Sequence, residues 1–231
     1  MSQIETAKEP KPYPSPHNFS EEEKRGVYRA IYERRDIRKE FLSTAIPRRI
    51  LLRLLNAAHH AGSVGFMQPW NFVIIRDEEI KKKIKKIFKV ENEKAKRNYT
   101  GEKLTKYISL KLEAIEESPV NICVTCDPTR GGPHVLGRNS IKETDLYSTC
   151  CAVQNLWLAA RSEGIGIGWV SILNNKLLKK VLNIPKHIKP IAYLCLGYVS
   201  KFPKKPMLET QGWAKRKRLD DLIYWNIWDK K

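Results

Sequence analysis

The sequence predicts a layered α/β or α+β domain whose sheet is covered on both faces. Two observations carry that prediction. Four segments of strand length, "NFVIIR", "VNICVTC", "IGIGWVSI" and "IAYLCLGYV", are apolar almost throughout. Amphipathic segments with helical spacing alternate with them. Strands without a polar face need cover on both sides, and helices with one apolar face supply it. The chain has 231 residues, 42% of them hydrophobic, enough for one substantial core. A proline-rich arm over residues 1–19, with Pro10, Pro12, Pro14 and Pro16, precedes a single domain expected over 20–231.

The elements follow in order. Ser20 and Glu23 have capping-box spacing and open a helix that runs through Val27 and Ile31 to a cluster of arginines. Pro47 suits the first turn of a second helix, with Ile50, Leu51, Leu54, Leu55 and Ala58 on one face. The loop "GSVGFMQPW" leads into the first strand. In "EEIKKKIKKIFK", Ile80, Ile84, Ile87 and Phe88 mark one face of a helix and lysines the other. Thr100 starts a helix expected to continue through Leu104, Ile108, Leu112 and Ile115 and to stop before Pro119. After "VNICVTC" and a glycine-rich loop comes a long helix, capped by Thr144 and closed by Gly164. A strand, a short helix near 175–182 and a last strand complete the series. The tail from Lys201, carrying Trp213, Trp225 and Trp228, is too aromatic to be left unpacked, and a second subunit is the expected surface for it.

The formal charge of +18 is dispersed along the chain. It suits small anionic ligands and argues against a nucleic-acid partner, for which no aromatic and basic strand motif is present. No apolar run approaches the ~20 residues of a membrane span, and the first residues hold no apolar leader, so a cytoplasmic protein with no membrane partner is expected. Five cysteines, an odd count, read as free thiols. Cys123 and Cys126 form C-x-x-C inside a strand, where i and i+3 face opposite sides, so no metal site is expected there or elsewhere.

"GIGIGWV" follows a helix and enters a strand, the reverse of a dinucleotide-binding loop. Its glycines permit a tight turn or the close approach of a flat ligand. Ser171 ends this strand without a nucleophile elbow around it. In "GSVGFMQPWNF", Gly62 and Gly65 let the backbone approach a ligand, while Ser63 and Gln68 offer polar groups. "YERRDIRKEF" surrounds Asp36 with Arg34, Arg35, Arg38 and Lys39, so Asp36 is either their counter-ion or a group held for chemistry. Burial would raise its pKa and the guanidinium groups would lower it.

Taken together, "RRDIR", "AAHHAGSVGFMQPWNFVII" and "ETDLYSTCCAVQNLWLAARSEGIGIGWVSIL" resemble the flavin-dependent nitroreductase-like fold, and within it the BluB branch, the 5,6-dimethylbenzimidazole synthases. The likeness runs from about Tyr28 to about Trp228. It implies an α+β homodimer with a central mixed sheet covered by helices and FMN at the subunit interface. It also implies an oxygen-dependent reaction in which reduced FMN is the substrate, broken down to 5,6-dimethylbenzimidazole, the lower ligand of vitamin B12, and erythrose 4-phosphate. The sequence leaves open whether electrons come from NAD(P)H through a flavin reductase or directly from a nicotinamide. By the same resemblance Asp36 and Ser171 are the catalytic positions, Asp36 moving protons and Ser171 relaying them. Flavin contacts fall on Arg34, Arg35, Asp36, Ile37, Arg38, Ser63, Gly65, Gly168, Trp169, Val170, Ser171 and Arg216. The alternative on the same fold is an NAD(P)H-dependent nitro- or quinone reductase that returns FMN intact.

Overall fold

A computed structural model describes residues 17–228, so most of the proline-rich arm expected over 1–19 lies outside the described residues. The elements are α1 (Glu21–Glu33), α2 (Arg48–His59), β1 (Trp70–Ile75), α3 (Glu78–Lys96), α4 (Gly101–Ser109), β2 (Val120–Cys126), α5 (Thr144–Ser162), β3 (Ile165–Val170), α6 (Asn175–Val181), β4 (Lys189–Tyr198) and α7 (Met207–Thr210).

The strands form one sheet in the order β1-β2-β4-β3, and every adjacent pair is antiparallel. The sheet was expected to be mixed. Its one parallel pairing among the described residues is an isolated bridge between Asp36 and Ile167. Alternate residues of the central strands serve two cores, as the two-residue period of a strand dictates. Ile122, Val124, Leu194 and Leu196 meet α2 and α5 through Leu54, Leu156 and Ala160. Cys123, Tyr193 and Cys195 meet α3, α6 and the 112–115 segment through Ile84, Phe88, Leu178 and Ile115. Cys123 thus belongs to one face, whereas Cys126 lies beside Thr149 of α5 on the other, and all five cysteines are free.

α1 has the expected capping box, with Ser20 Oγ accepting from the Glu23 N–H and Glu23 accepting from the Ser20 N–H. Two helix ends differ from expectation. Thr144 does not cap α5; it is the first helical residue, and its hydroxyl donates to Ile141 O. α4 ends at Ser109, not near Pro119. Beyond it the chain turns into the second core, where Glu113 accepts from the Ile115 N–H and pairs with Lys85, and Ile115 is fully buried. Buried Lys81 holds the following turn by donating to Ser118 O at 2.9 Å. These partners lie on another helix, so a side-chain period within 100–118 could not reveal them.

Candidate functional site

The site grows from two glycines of β3. A Cβ on Gly168 would stand 2.0 Å from Ile37 O, and one on Gly166 would stand 2.9 Å from Ile37 Cγ1. Gly168 therefore admits the protein's own backbone and Gly166 the Val199 and Ile37 side chains, where the sequence suggested a turn or a flat ligand. Residues 36 and 37 lie across β3, fixed by the Ile37 N–H to Ile167 O bond of 2.9 Å. The helix-to-strand turn uses a third glycine, Gly164, at φ +72°.

This crossing brings Asp36 against β3. The Trp169 N–H donates to Asp36 Oδ1 at 2.9 Å, and Arg38 Nη2 meets Oδ2 at 2.5 Å. Burial is the largest influence on Asp36 and raises its pKa above the ordinary carboxylate value; Arg38, the Trp169 N–H and Arg34 pull the other way. A third of the side chain nonetheless remains open to solvent.

The three arginines have separate positions. Arg35 donates to the carbonyls of Tyr32, Arg34 and Lys204, so it ties the end of α1 to the C-terminal segment. Arg34 lies over the Trp157 ring at 4.6 Å, and its side chain makes no hydrogen bond among the described residues. Burial, together with repulsion from Arg35 and Arg216, depresses its pKa, so the exposed Arg216 is within electrostatic reach. Arg38 is mostly covered, and its Nε has no partner. Arg35 Nε is likewise buried without a partner, so the arginine groups left for an anion are Arg34, Arg38, Arg216 and the Nε of Arg35.

Arg38, Trp169 and Ser171 line a cavity of about 160 Å³ together with Tyr107, Leu112 and Trp213. A neighbouring cavity of about 200 Å³ shares Trp169 and Ser171. Ser171 lies just past β3, exposed, with no side-chain hydrogen bond among the described residues. Ile37 and Val170 are buried; Val170 lines the neighbouring cavity, and Ile37 packs against β3.

Ser63 and Gly65 lie elsewhere. Ser63 Oγ accepts from the Gln68 N–H, and Val64 N donates to Ser148 near the start of α5. The space over Gly65, at φ +57°, is filled by Val135 and Leu136, so a ligand cannot approach its Cα from that side. This loop opens β1, at the opposite edge of the sheet from β3. Three strand spacings separate the edges by ~14 Å. The nine residues from Ser148 to Trp157 along α5 give about the same length at ~1.5 Å per residue. Within one chain the two groups are apart.

Sequence reading had assigned no role to Trp157, Tyr107 or Trp213 at the site. Only Trp213 left a signal, as part of an aromatic tail.

Residues 31–198 match the profile of the Nitroreductase family. The 5,6-dimethylbenzimidazole synthase of Rhodospirillum rubrum is 38% identical over 184 residues, 80% of this chain and 87% of that protein. A second protein of that name, from Rhodobacter capsulatus, is 32% identical over 200 residues, 86% of this chain and 95% of its own. Among solved structures, oxidized iodotyrosine deiodinase bound to FMN and 3-iodo-L-tyrosine superposes with a TM-score of 0.69 at 21% identity, over 87% of this chain and 100% of that one; this likeness concerns the fold. With its fold, its glycine-permitted crossing of β3 and these matches in agreement, the chain belongs to the nitroreductase family, on the branch of the 5,6-dimethylbenzimidazole synthases.

Proposed function

We propose that this protein is a 5,6-dimethylbenzimidazole synthase that consumes reduced FMN with O₂ and releases 5,6-dimethylbenzimidazole and erythrose 4-phosphate. The observation that carries the reading is Asp36, a carboxylate of raised pKa, oriented by the Trp169 N–H and Arg38 beside the cavity that Ser171 lines. Flavin fits the residues present. Arg38 Nε is a buried donor without an acceptor, the Arg34 guanidinium has no hydrogen bond among the described residues, and both suit a phosphate or the electron-rich edge of a reduced ring. When bound, reduced FMN supplies the electrons for O₂ and the carbon skeleton of the product. Asp36 takes up and returns protons, a role that its raised pKa favours. The Ser171 hydroxyl relays a proton at the same wall, and Arg216 joins Arg34 around the anionic end.

A homodimer completes the site. The cavity of about 160 Å³ is smaller than the ~300–1,000 Å³ typical of enclosing ligand pockets. A second copy would bring its Ser63 loop to the Arg38 and Ser171 side of the first. From Leu146 to Ala160, α5 has no charged residue, yet Tyr147, Cys150, Cys151 and Gln154 are exposed. Tyr28 and Tyr32 of α1, and Trp225 and Trp228 of the tail, are exposed as well. Uncharged, aromatic surface of this kind suits a subunit interface. No helix among the described residues is long and apolar enough to cross a membrane. A separate flavin reductase using NAD(P)H is the proposed electron source.

The test is incubation with chemically reduced FMN in air, followed by mass spectrometry. Loss of flavin matched by dimethylbenzimidazole supports the reading; FMN recovered intact under steady NADPH oxidation makes the protein a nitro- or quinone reductase. D36N should bind FMN and leave it whole.

A further inference from the structure

The tail after α7 is anchored by an aromatic cluster. Trp213 meets Tyr99 edge-on at 5.3 Å between centroids and Tyr107 at 6.2 Å, while Tyr99 and Tyr107 stack at 4.8 Å. Lys103 Nζ lies 5.6 Å from the centre of the Trp213 ring. The Trp213 N–H donates to Leu208 O at 2.8 Å, which fixes the backbone on the other side. Tyr107 itself is held by its hydroxyl, which donates to Asn92 Oδ1 at 2.7 Å on α3. Trp213 and Tyr107 are also walls of the cavity containing Arg38 and Ser171.

Arg216 lies three residues beyond this anchor, a reach of at most ~10 Å for extended chain. Its side chain is exposed and makes no hydrogen bond among the described residues, so Trp213 is the nearest packed side chain that fixes where it stands. The tail thus packs against α4 at the aromatic cluster, and Arg216 follows three residues after that contact.

We infer that Trp213, clamped by Tyr99 and Tyr107, is a positioning residue: it closes one wall of the Arg38 and Ser171 cavity and sets the place of Arg216 for an anionic ligand. This rests on the flavin reading of the site. Loss of the clamp would free the tail, and Arg216 would spend its charge in water instead of on the ligand.

A double-mutant cycle tests it, with FMN and phosphate-free riboflavin titrated by flavin fluorescence into W213A, R216A, the double variant and W213F. Each single alanine variant should weaken FMN at least ~10-fold, the loss expected for a charged hydrogen bond. The double variant should be no weaker than the poorer single, because both changes remove one interaction. Riboflavin should be affected less than FMN, and W213F should retain most of the affinity. Thermal melts accompany each titration; Trp213 lies outside both core clusters, and W213F keeps the test valid if W213A is poorly folded. Additive losses, equal losses for riboflavin, or unchanged binding in W213A would each overturn the inference. Were wild type to bind FMN and return it intact, the synthase reading would fail while a non-additive cycle still supported Trp213. An additive cycle beside normal fragmentation would sink only the role of Trp213, and absence of FMN binding would overturn both.

Discussion

Replacing Gly168 by alanine adds one methyl group at the point where two backbones meet. The new Cβ would stand 2.0 Å from Ile37 O, and ordinary contact begins near 3.4 Å, so the crossing must open. Opening puts two bonds at risk, both 2.9 Å long: the Ile37 N–H to Ile167 O and the Trp169 N–H to Asp36 Oδ1. The first is worth about 1 kcal/mol and the second, to a charged group, about 1.5–3 kcal/mol. Against them stands a gain of about 0.5–1 kcal/mol from replacing a flexible glycine within a strand. The net destabilisation is about 1.5–3.5 kcal/mol, which lowers Tm by ~3–14 °C in a domain of this size. Asp36 would also lose its orientation, so flavin fragmentation should fall further than stability. Circular-dichroism melts and product analysis measure both. A G168A protein that melts within a degree of wild type and fragments FMN normally would refute the role assigned to this crossing.

The other predictions concern separate parts of the molecule. G26A, in a helix with no buried residue and with open space around the new Cβ, should stabilise α1 by about 0.5–1 kcal/mol and raise Tm slightly. K81M should cost about 1–3 kcal/mol by leaving Ser118 O without its donor, yet FMN affinity should be unchanged because Lys81 is remote from the cavity. Asp36 gives a pH signature. With its folded pKa raised, the folded state keeps a proton that the unfolded chain releases, so this contribution to stability is complete below the ordinary value of 3.8 and is lost as pH rises through the raised pKa. D36N should lack that component in melts recorded across pH, and fragmentation by wild type should decline as pH falls through the same pKa.

Much of the architecture was legible because its signals are local. The Ser20 capping box, the face of α3 and the apolar runs of β2 and β4 need only neighbouring residues to be read. The misread end of α4 shows the limit. Leu112 and Ile115 continue a helical period, yet Glu113 and Lys85, 28 residues apart, decide the conformation. The site divides in the same way. "RRDIR" announces a charged cluster, but that Arg35 serves three carbonyls while Arg38 pairs with Asp36 depends on the distant Lys204 and on the β3 crossing. The glycines of "GIGIGWV" were conspicuous, and their purpose became visible only once Ile37 was seen against them.

The choice between counter-ion and reactive group for Asp36 turns on how its charge is held. An exposed carboxylate among arginines gains little, since such pairs contribute ~0–1 kcal/mol and leave the carboxylate free to rotate. Asp36 is held differently. Each oxygen has its own donor, one from a strand backbone that cannot move without breaking the sheet and one from a guanidinium that is itself mostly covered. That fixes the carboxylate plane before any ligand arrives, and the residual attraction of Arg38 and Arg34 does not overcome the effect of burial on its pKa. A group that served only to balance the arginines would be ionised most securely in the open. Asp36 instead sits where ionisation is made harder and orientation is enforced, the combination expected of a group that must exchange protons with a ligand held beside Ser171.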